Sequence, residues 1–564
     1  GGGGDGAEED EDDDGGDDDG EAGGQWTMRK CSAHALDILS GTFQGDIILP
    51  SMLPELQTRF ASDNMWVREG AILSLGAVCY GSWHGVVQHM SAIFPFLIEN
   101  LNNPLPQVRW ISCWAIEKYM SWVNDEANKP NGQVDMVQPL VEVLLQRIMD
   151  KNKKVQEHAC SAFAVMCEEI SDHHTGTSLL LPYLKPILDT LMFAHQKYQA
   201  RSLLILYDAI GALCEAVGNQ LAHPELITVL IPPLLTKWQT IEDTDRQLFP
   251  LNECLAAVAK ALGLAFQEYS LVVFQRCCRV IESNLLAHAT GMTMPNGDPY
   301  DKDFMVCAID LLSGLCEGLE ANFGSLAHGS NLLQLLHQCL KDEPAVRQSS
   351  LALMGDMIKS SPEFVAPAIP TLLPLVVENL SQREHRKVCS NAAWAFGELI
   401  TTMGDMVVSQ QVEPALTRLV TILNSEDVHP NVMVNVTITL GKLGRISTDR
   451  VAPTFHTFAE TMCLAVAEIS DTYEKNLAFE GLCMIAQRNP QPLMESAHQF
   501  VVAVVSWAEL EPNEPPQQLK DMLQAILTAF HQQMIASGTT PTDFYSQRFE
   551  QHHCAYLAQN YIIQ

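Results

Sequence analysis

Short amphipathic segments of one design recur along the chain, and this recurrence restricts the possible folds more than any other feature. Each copy has apolar residues at positions i, i+4, i+7, i+8 and i+11, which form one stripe of an α-helix. Five close copies and four weaker ones begin at Val67, Val108, Val155, Ser202, Gln247, Phe304, Val346, Val388 and Val432. Successive starts are 41 to 57 residues apart. A period of about 40 to 47 residues is typical of HEAT or armadillo repeats, which are built from paired helices.

A second apolar helix is predicted before each copy, and it often opens with proline. Examples are "IFPFLIENL" before Val108, "IPTLLPLVVENL" before Val388 and "VEPALTRLVTIL" before Val432. Proline is tolerated in a first helical turn because its missing N–H would have no partner there. Period-2 alternation with hairpin turns, which indicates strands, is nearly absent. The sequence therefore predicts an all-α, right-handed superhelical solenoid of about twelve antiparallel HEAT helix pairs.

Two segments do not follow the repeat pattern. Residues 1–25 are rich in Gly and Asp, and the first 24 contain twelve acidic and no basic residues, which is typical of a disordered loop or tail. Residues 286–300 (LAHATGMTMPNGDPY) are predicted to form an insertion within one repeat. The solenoid is assigned to residues 26–564. Because the chain begins with glycine and not methionine, we expect it to be a fragment or a processed form.

The composition argues against several classes of function. The chain is 47% hydrophobic and 18% charged, so most of it must bury surface against itself. Its net charge is -34, of which -22 remains after the acidic first 24 residues are set aside. Such a surface repels phosphates, so we expect a basic partner and no direct binding of nucleic acid. No apolar run reaches about 18 residues, so no membrane insertion is expected.

Residues able to support catalysis or metal binding lack suitable spacing. The sixteen cysteines contain no C-x-x-C pair, which favours reduced, buried thiols. Neither His173 and His174 nor His552, His553 and Cys554 has a spaced partner pair of the zinc type. Phosphate loops, G-x-S-x-G and H-E-x-x-H are also absent from the sequence. We therefore predict neither an enzyme nor a cofactor or metal site.

Residues outside the apolar stripe form a pattern of their own. The sixth residue after the start of each copy lies about 240° round the helix, away from the stripe. If repeats stack in register, these side chains form a line on one surface. The line contains Leu73, Trp114, Ser161, Asp208, Glu253, Asp310, Ala352, Trp394 and Ile438. Neighbouring positions add Ile111, Glu168, Glu215, Glu317, Asp356, Asn391, Glu398 and Asn435.

This line has an apolar beginning around Trp114, an acidic middle and a second aromatic at Trp394. Tryptophans are good binding anchors, and carboxylates complement guanidinium groups, so an extended basic peptide with apolar anchors would match the order. The alternative stays open at this point. Off-stripe tryptophans also pack against neighbouring repeats, and rows of carboxylates are often merely solvated.

Several longer blocks carry a family resemblance. They include "MRKCSAHALDIL", "NKKVQEHACSAFA", "LLILYDAIGALCEAVG", "DKDFMVCAIDLLSGLCEGL" and "CSNAAWAFGELI". Together they resemble the transportin (karyopherin-β2) family of importin-β nuclear import receptors. The resemblance covers Trp26 to Gln564, and the acidic run resembles the end of the long acidic loop of that family.

The resemblance implies a receptor that shuttles between cytoplasm and nucleus as a monomer. Its cargoes would carry basic proline-tyrosine nuclear localisation signals and would include RNA-binding proteins, with histones and ribosomal proteins as further classes. Ran-GTP would release the cargo, mainly through amino-terminal repeats that this chain lacks. Nucleoporin FG repeats would be the partners during passage through the pore.

The resemblance also implies roles for the off-stripe residues. Leu73, Ile111 and Trp114 would receive the proline-tyrosine end of the signal. The basic part would face Glu168, Asp208, Glu215, Glu253, Asp310, Glu317 and Asp356. The upstream part would meet Asn391, Trp394, Asn435 and Ile438.

Four residues depart from the family pattern. Lys118 stands where an arginine is common, which removes a planar fork of donors. His34 and His158 replace small alanines and are expected to narrow the groove, whereas Arg386 replaces an aliphatic residue expected near Trp394. These changes bear on which signals the chain prefers.

Two other functions fit the same solenoid. One is a HEAT scaffold, such as a phosphatase regulatory subunit, that binds folded partners along its ridges and turns. The other is an acidic chaperone of histones or ribosomal proteins, which would bind any polycation in a strongly salt-dependent way.

Overall fold

The structure is a computed structural model, and it divides into two compact units, Gly1–Ala216 and Val217–Gln564. It describes residues 27–129, 136–172, 177–293, 297, 300–381, 384–404, 411–426, 428–510, 512–536 and 538–562. The predicted acidic tail (residues 1–25), His173 and His174 lie outside the described residues. Each unit is considered by itself below.

The first unit consists almost entirely of helices among its described residues. The helices are α1 (Met28–Phe60), α2 (Met65–Ala77), α3 (Trp83–Val86), α4 (Met90–Asn100), α5 (Pro106–Lys118), α6 (Met120–Ala127), α7 (Val137–Ile148), α8 (Lys153–Glu169), α9 (Leu184–Lys197) and α10 (Ala200–Val217). A two-residue antiparallel pair joins β1 (Ser171–Asp172) to β2 (Thr177–Ser178). Short 3-10 segments lie at Val87–His89 and Leu181–Tyr183.

The second unit continues the helical pattern. Its first ten helices are α11 (Pro224–Thr240), α12 (Leu248–Leu262), α13 (Gln267–Thr290), α14 (Asp303–Leu319), α15 (Ala321–Ala327), α16 (Leu332–Cys339), α17 (Pro344–Ser360), α18 (Pro362–Val365), α19 (Ile369–Asn379) and α20 (Arg386–Met403). The remaining described helices are α21 (Val412–Leu423), α22 (Pro430–Ile446), α23 (Thr448–Val451), α24 (Ala459–Ala467), α25 (Thr472–Arg488), α26 (Gln491–Glu495), α27 (Ala497–Val505), α28 (Gln517–Ala536), α29 (Pro541–Arg548) and α30 (Gln551–Asn560). The 3-10 segments are Gly218–Leu221, Gly263–Phe266, Ala366–Ala368, Ala452–Thr457 and Ser506–Glu509.

Corresponding helices of successive repeats pack on one another. In the first unit α2 packs on α5, and α5 packs on α8, while α4 packs on α7 and α7 on α9. In the second unit α12, α14, α17, α20, α22 and α25 pack in that order, and α13, α16 and α19 form the other row. The prediction of an all-α HEAT solenoid is therefore confirmed. The helices that hold the recurring stripe are the second helix of each repeat.

Local sequence accounts for where these helices begin and what they bury. Asn152 caps α8 by accepting from the N–H of Val155, and Asp471 caps α25 by accepting from Glu474. Proline occupies the first turn of α5 and α17. The predicted stripe of α20 is buried, including Val388 and Phe396. The periodicity thus marked the core face correctly.

Polar side chains connect each repeat to the next. Arg109 of α5 donates two hydrogen bonds to Asp150, which follows α7, at 2.9 and 2.7 Å. Asp150 is buried, and Arg147 adds a second ion pair with it at 3.2 Å. Two parallel N–H···O bonds fix the geometry of this fork, and removing one partner would leave the other charge buried and unpaired.

Glycines let several second helices approach more closely than other residues allow. A Cβ added to Gly481 of α25 would overlap the carbonyl of Gly441 in α22, and one added to Gly314 of α14 would overlap Ala256 in α12. Dispersion is lost quickly with separation, so this close approach strengthens the packing between repeats. The stacking therefore depends on small residues at defined positions.

Three details differ from the sequence expectation or qualify it. Helix α1 is interrupted at Gln44, whose φ of 60° breaks it into two helices. The insertion predicted for residues 286–300 starts too early, because residues 286–290 complete α13, which ends at a left-handed Gly291. By length and composition Leu248–Thr290 is apolar enough to cross a membrane, yet it consists of two helices, both packed on α14.

Replacing Gly481 with alanine is expected to lower stability. The new methyl would meet the Gly441 carbonyl, and overpacking of this kind costs about 1 to 3 kcal/mol. Calorimetry should show a lower Tm, and hydrogen exchange should be faster in α22 and α25. Gly70→Ala is the matched control, since nothing lies within 4 Å of that position and alanine is the better helix former. A Gly481→Ala variant as stable as the control would contradict the close approach.

Candidate ligand-binding surface

Trp114 of α5 rests on a glycine of the preceding repeat. The six-membered part of its ring lies over Gly76 of α2, so closely that a Cβ on Gly76 would overlap ring atoms Cζ3, Cε3 and Cη2. The side chain is half-buried. Leu73 is also half-buried and lies one turn before Gly76 on the same helix face. The ring is thus positioned by the neighbouring repeat and still reaches solvent.

Trp394 in the second unit is held in the same way. It lies on α20, is half-buried, and the same three ring atoms cover Gly355 of α17. Both glycines are the ninth residue after the start of their copy, and both tryptophans are the sixth residue of the next copy. The two units therefore each contain one tryptophan with the same support. Each ring packs on a neighbouring repeat, as the packing alternative predicts, and each remains partly exposed, so the binding interpretation stays a prediction.

A cation covers part of the Trp114 ring. The Nζ of Lys118 lies 5.6 Å from the ring centroid and also forms an ion pair with Glu117 at 3.0 Å. Ammonium groups at this distance are attracted to the negative face of an indole. A ligand that uses this face must displace Lys118 or interact with it. Lys118, one of the four residues that depart from the family pattern, therefore lies directly beside the Trp114 ring.

Two predicted contact residues are buried, which corrects the sequence interpretation. Ile111 is 1% exposed because α5 lies between α2 and α8, and Ile438 is 2% exposed because α22 lies between α20 and α25. Their side chains are enclosed by these neighbours. They support the surface from beneath and cannot contact a ligand in this conformation.

The carboxylates in the first unit are accessible. Glu168, Asp208 and Glu215 are exposed, and none of them has an ion-pair partner among the described residues. Glu168 lies near the end of α8, and the other two lie two turns apart on α10. They are free to receive external cations.

The carboxylates in the second unit are more varied. Glu253 and Asp310 are exposed, whereas Glu317 forms an ion pair with Lys260 at 2.6 Å. Desolvation raises the pKa of Asp310, against a hydrogen bond with Ser349. An external cation would therefore compete with Lys260 for Glu317.

Asp356 is the most perturbed acid of this set. Its side chain is half-buried on α17 and accepts a hydrogen bond from Ser313 of α14. Burial raises its pKa from 3.8 to about 6, and Glu317 raises it further, whereas Ser313, Lys260 and Lys359 act in the opposite direction. The ionised form is thus costly in the free protein and would be favoured by an added cation.

The polar residues near Trp394 mainly connect repeats. Asn391 donates to the carbonyl of Gln348 at 3.0 Å, and Asn435 donates to the hydroxyl of Ser390 at 2.7 Å. Both amides are half-buried, and their nitrogens are already engaged. Their predicted role in binding therefore competes with a structural one.

Glu398, also outside the stripe, is neutralised within the chain. Lys442 of α22 reaches back to it at 2.7 Å, and both side chains are largely buried. The ion pair links α20 to α22 on the side of α20 that also bears Trp394. This pair was not predicted, because the sequence does not show which helix face Lys442 shares with the previous repeat.

The other three residues that depart from the family pattern are not in contact with Trp114 or Trp394. Arg386 begins α20, eight residues or about 12 Å before Trp394, and lines a cleft with Glu384, Glu426 and His429. This corrects the expectation that it lies near Trp394.

The two histidine departures pack or point elsewhere. His158 stacks on Trp110, with ring centroids 5.1 Å apart, and Arg29 lies over the same indole at 5.1 Å. His34 is exposed on α1. Neither contact involves Trp114, so the expected narrowing is not seen at that tryptophan.

Sequence reasoning missed the two supporting glycines, although a signal for them exists. The ninth residue of most copies is small: Gly76, Ala164, Gly211, Ala256, Ser313, Gly355, Gly397 and Gly441. Glu117 is the exception. Aligning that position with the sixth residue of the next copy would have revealed the pairing of glycine with tryptophan.

Comparisons with curated proteins agree with this architecture. The family model described as HEAT-like repeat matches residues 65–119. Transportin-1 of Homo sapiens is 41% identical over 513 residues, which are 90% of this chain and 55% of that protein. Transportin of Dictyostelium discoideum is 39% identical over 531 residues, covering 93% and 55%. Importin subunit beta-2 of Schizosaccharomyces pombe is 39% identical over 510 residues, covering 89% and 54%.

Solved structures share the fold at lower identity. Importin beta in a polyethylene glycol condition aligns with a TM-score of 0.66 and 14% identity, covering 92% of this chain and 63% of that one. Kap121p bound to Ste12p aligns with a TM-score of 0.53 and 15% identity, covering 94% and 62%. The chain spans about half the length of the curated relatives it matches. On these similarities the chain belongs to the transportin family of HEAT-repeat proteins.

Proposed function

We propose that this chain is the cargo-binding portion of a nuclear import receptor that takes basic proline-tyrosine localisation signals. The observation that carries the proposal is the matched support of Trp114 and Trp394, each half-buried against a glycine of the preceding repeat. The kinship with transportins supplies the context. Each indole would receive an apolar or aromatic side chain from an extended signal segment.

The tryptophan arrangement suits a binding anchor better than a purely structural role. A fully buried tryptophan would offer no surface, and a fully exposed one would lose conformational entropy on binding. These two rings are already fixed by packing on Gly76 and Gly355. Binding energy at such sites comes from large, rigid aromatic groups.

The carboxylates suit the basic part of a signal. Glu168, Asp208 and Glu215 are exposed without ion-pair partners among the described residues, so a Lys or Arg can bind without breaking an internal pair. Arginine can donate two parallel hydrogen bonds to one carboxylate. The direct contact set is then Leu73, Trp114, Glu168, Asp208, Glu215, Glu253, Asp310, Glu317, Asp356 and Trp394. Ile111 and Ile438 support it, and Asn391 and Asn435 contribute only if their present hydrogen bonds rearrange.

The wider transport cycle is part of the same proposal. The receptor would carry RNA-binding, histone or ribosomal cargo between cytoplasm and nucleus, bind nucleoporins on the way and release cargo to Ran-GTP. Support comes from the named relatives and from a related fold, Kap121p, solved bound to Nup53p.

Removing both tryptophan anchors is expected to abolish tight signal binding. Each tryptophan of this kind contributes about 2 kcal/mol or more, so Trp114→Ala and Trp394→Ala should each weaken binding about 30-fold. Fluorescence anisotropy of a labelled basic proline-tyrosine peptide at physiological salt measures this. Trp66→Ala is the matched control, because Trp66 is 63% exposed at the start of α2 and lies outside the contact set.

The same titration separates the competing functions. Equal affinity of the double variant and the intact chain, or no binding by either, would leave the tryptophans with a packing role and favour a HEAT scaffold. Binding of any polycation, lost at high salt but not with the double variant, would indicate an acidic chaperone.

Gly355→Ala should weaken the peptide although Gly355 does not touch it. The methyl would displace the Trp394 ring from its support, so we expect about a tenfold loss of affinity. The decisive measurement is a double-mutant cycle. In the Trp394→Ala background the glycine substitution should have no further effect, because the displaced group is gone. Additive losses would mean that Gly355→Ala acts through general destabilisation.

Acidification should weaken the binding of basic peptides through Asp356. Its pKa is about 6, so the carboxylate is largely ionised at pH 7.5 and becomes neutral as the pH falls through 6. Wild type should bind severalfold more tightly than Asp356→Asn at pH 7.5, and the two should converge near pH 5. Since the folded-state pKa exceeds the ordinary 3.8, protonation of this group favours the folded state, and unfolding at Asp356 does not explain the loss. A constant affinity ratio across pH would contradict this assignment.

A further inference from the structure

A His-His-Glu cluster in the second unit lies outside the proposed signal-binding surface. Glu509 ends the 3-10 segment Ser506–Glu509, and His552 and His553 lie in the first turn of α30. The Oε1 of Glu509 is 3.1 Å from Nε2 of His552 and 3.5 Å from Nε2 of His553. Sequence spacing offers the two histidines no third ligand, and the fold brings one from 43 residues away.

The two distances from Glu509 to the histidine nitrogens, 3.1 and 3.5 Å, match a tetrahedral metal site. Ligand atoms bound at 2.0–2.1 Å to one zinc ion are about 3.4 Å apart at tetrahedral angles. The one oxygen and two nitrogens of this cluster all lie within 4.8 Å of one another. Two histidines and one glutamate also form a known three-ligand zinc set that leaves a fourth position for water.

A second carboxylate lies beside one of the histidines. Glu550 precedes α30, and its Oε2 lies 3.4 Å from Nδ1 of His552. When Nδ1 of His552 carries the proton and donates a hydrogen bond to Glu550, Nε2 has a lone pair that can bind a metal ion. Histidines that bind metals commonly have such a partner on the other nitrogen, and its loss weakens binding about 10- to 100-fold.

The charge around the cluster also favours a cation. Glu509 and Glu550 form no ion pair with Lys or Arg among the described residues. The imidazole rings of His552 and His553 have centroids 3.9 Å apart, a separation at which two imidazolium cations repel. A metal ion holds both rings neutral and offsets the carboxylates. The glutamate and His552 are exposed, so an ion has a path to the ligands.

We propose that Glu509, His552 and His553 bind one Zn²⁺ ion, with water in the fourth position and Glu550 as the orienting group. Imidazole nitrogens select zinc over the hard cations Mg²⁺ and Ca²⁺. The bound ion fastens α30 to the segment Ser506–Glu509 and so closes the last repeat.

Calorimetric titration of Zn²⁺ into the EDTA-treated full chain tests the site. The titration is run at pH 7.5 with a phosphine reductant, and one ion per chain should bind. His552→Ala with His553→Ala should abolish this uptake, and Glu550→Gln should weaken it about tenfold. His498→Ala is the control, since that ring packs on Phe549 at 5.2 Å and is not a ligand. Mg²⁺ should give no signal.

Cobalt distinguishes this site from the cysteines. Co²⁺ bound by nitrogen and oxygen shows no thiolate charge-transfer band, whereas binding at Cys31 or Cys554 would produce one. Hydrogen exchange in α30 should slow when zinc is added. The proposal would be overturned if the chain takes up no zinc, or if the double histidine variant still takes it up. A thiolate band with Co²⁺, or hydrogen exchange in α30 that zinc does not slow, would also overturn it.

Discussion

The close packing of consecutive second helices is the constraint on which the rest of the structure depends. The backbones of α22 and α25 meet at Gly441 and Gly481 with no room for a side chain, and at Gly76 and Gly355, which share the repeat position of Gly441, a tryptophan ring fills the space instead. The small residue at this position, present in every copy except the one with Glu117, thus has two uses. It shortens the distance between helices, or it creates a place where a large side chain from the next repeat is held rigidly. Stability and the support of the two tryptophan rings are linked through the same position.

Polar contacts between repeats fix the register of one helix along the next, which the apolar stripe cannot do. An apolar stripe tolerates sliding of one helix along another, because dispersion and burial are not directional. The Arg109–Asp150 fork, the pair of Lys442 with Glu398 and the hydrogen bond from Asn435 to Ser390 each fix one repeat against the next. Since the partners are mostly buried, breaking one would leave an unpaired polar group and cost more than the pair itself contributes. The tryptophans keep their alignment with the glycines for this reason.

Sequence periodicity predicted the fold well and the candidate site only in part. Repeat starts, helix type and the core stripe follow from local spacing, and Trp114, Trp394 and the exposed carboxylates lie outside the buried stripe, as the pattern predicts. Ile111 and Ile438 were misplaced because an angle around one helix does not tell how much a neighbouring repeat covers. At the sixth position after the repeat start, a tryptophan side chain is long enough to reach beyond the atoms of the neighbouring repeat, whereas the side chain of Ile438 is not. The zinc ligands and the Lys442 pair join residues 43 and 44 positions apart, which no local pattern shows.

The acidic residues are of two physical kinds, and the difference bears on how a signal would be selected. Exposed carboxylates such as Glu168 and Glu215 act through screened, long-range attraction, which speeds association with any basic chain and weakens with salt. Asp356 is different, because burial makes its charge costly before a ligand arrives, and a cation placed against it removes that cost. A ligand gains this energy where its basic group reaches a desolvated carboxylate, as at Asp356 and, by the same cause, at Asp310. Discrimination between signals would therefore come from Asp356 together with the two fixed indoles, and attraction from the exposed acids.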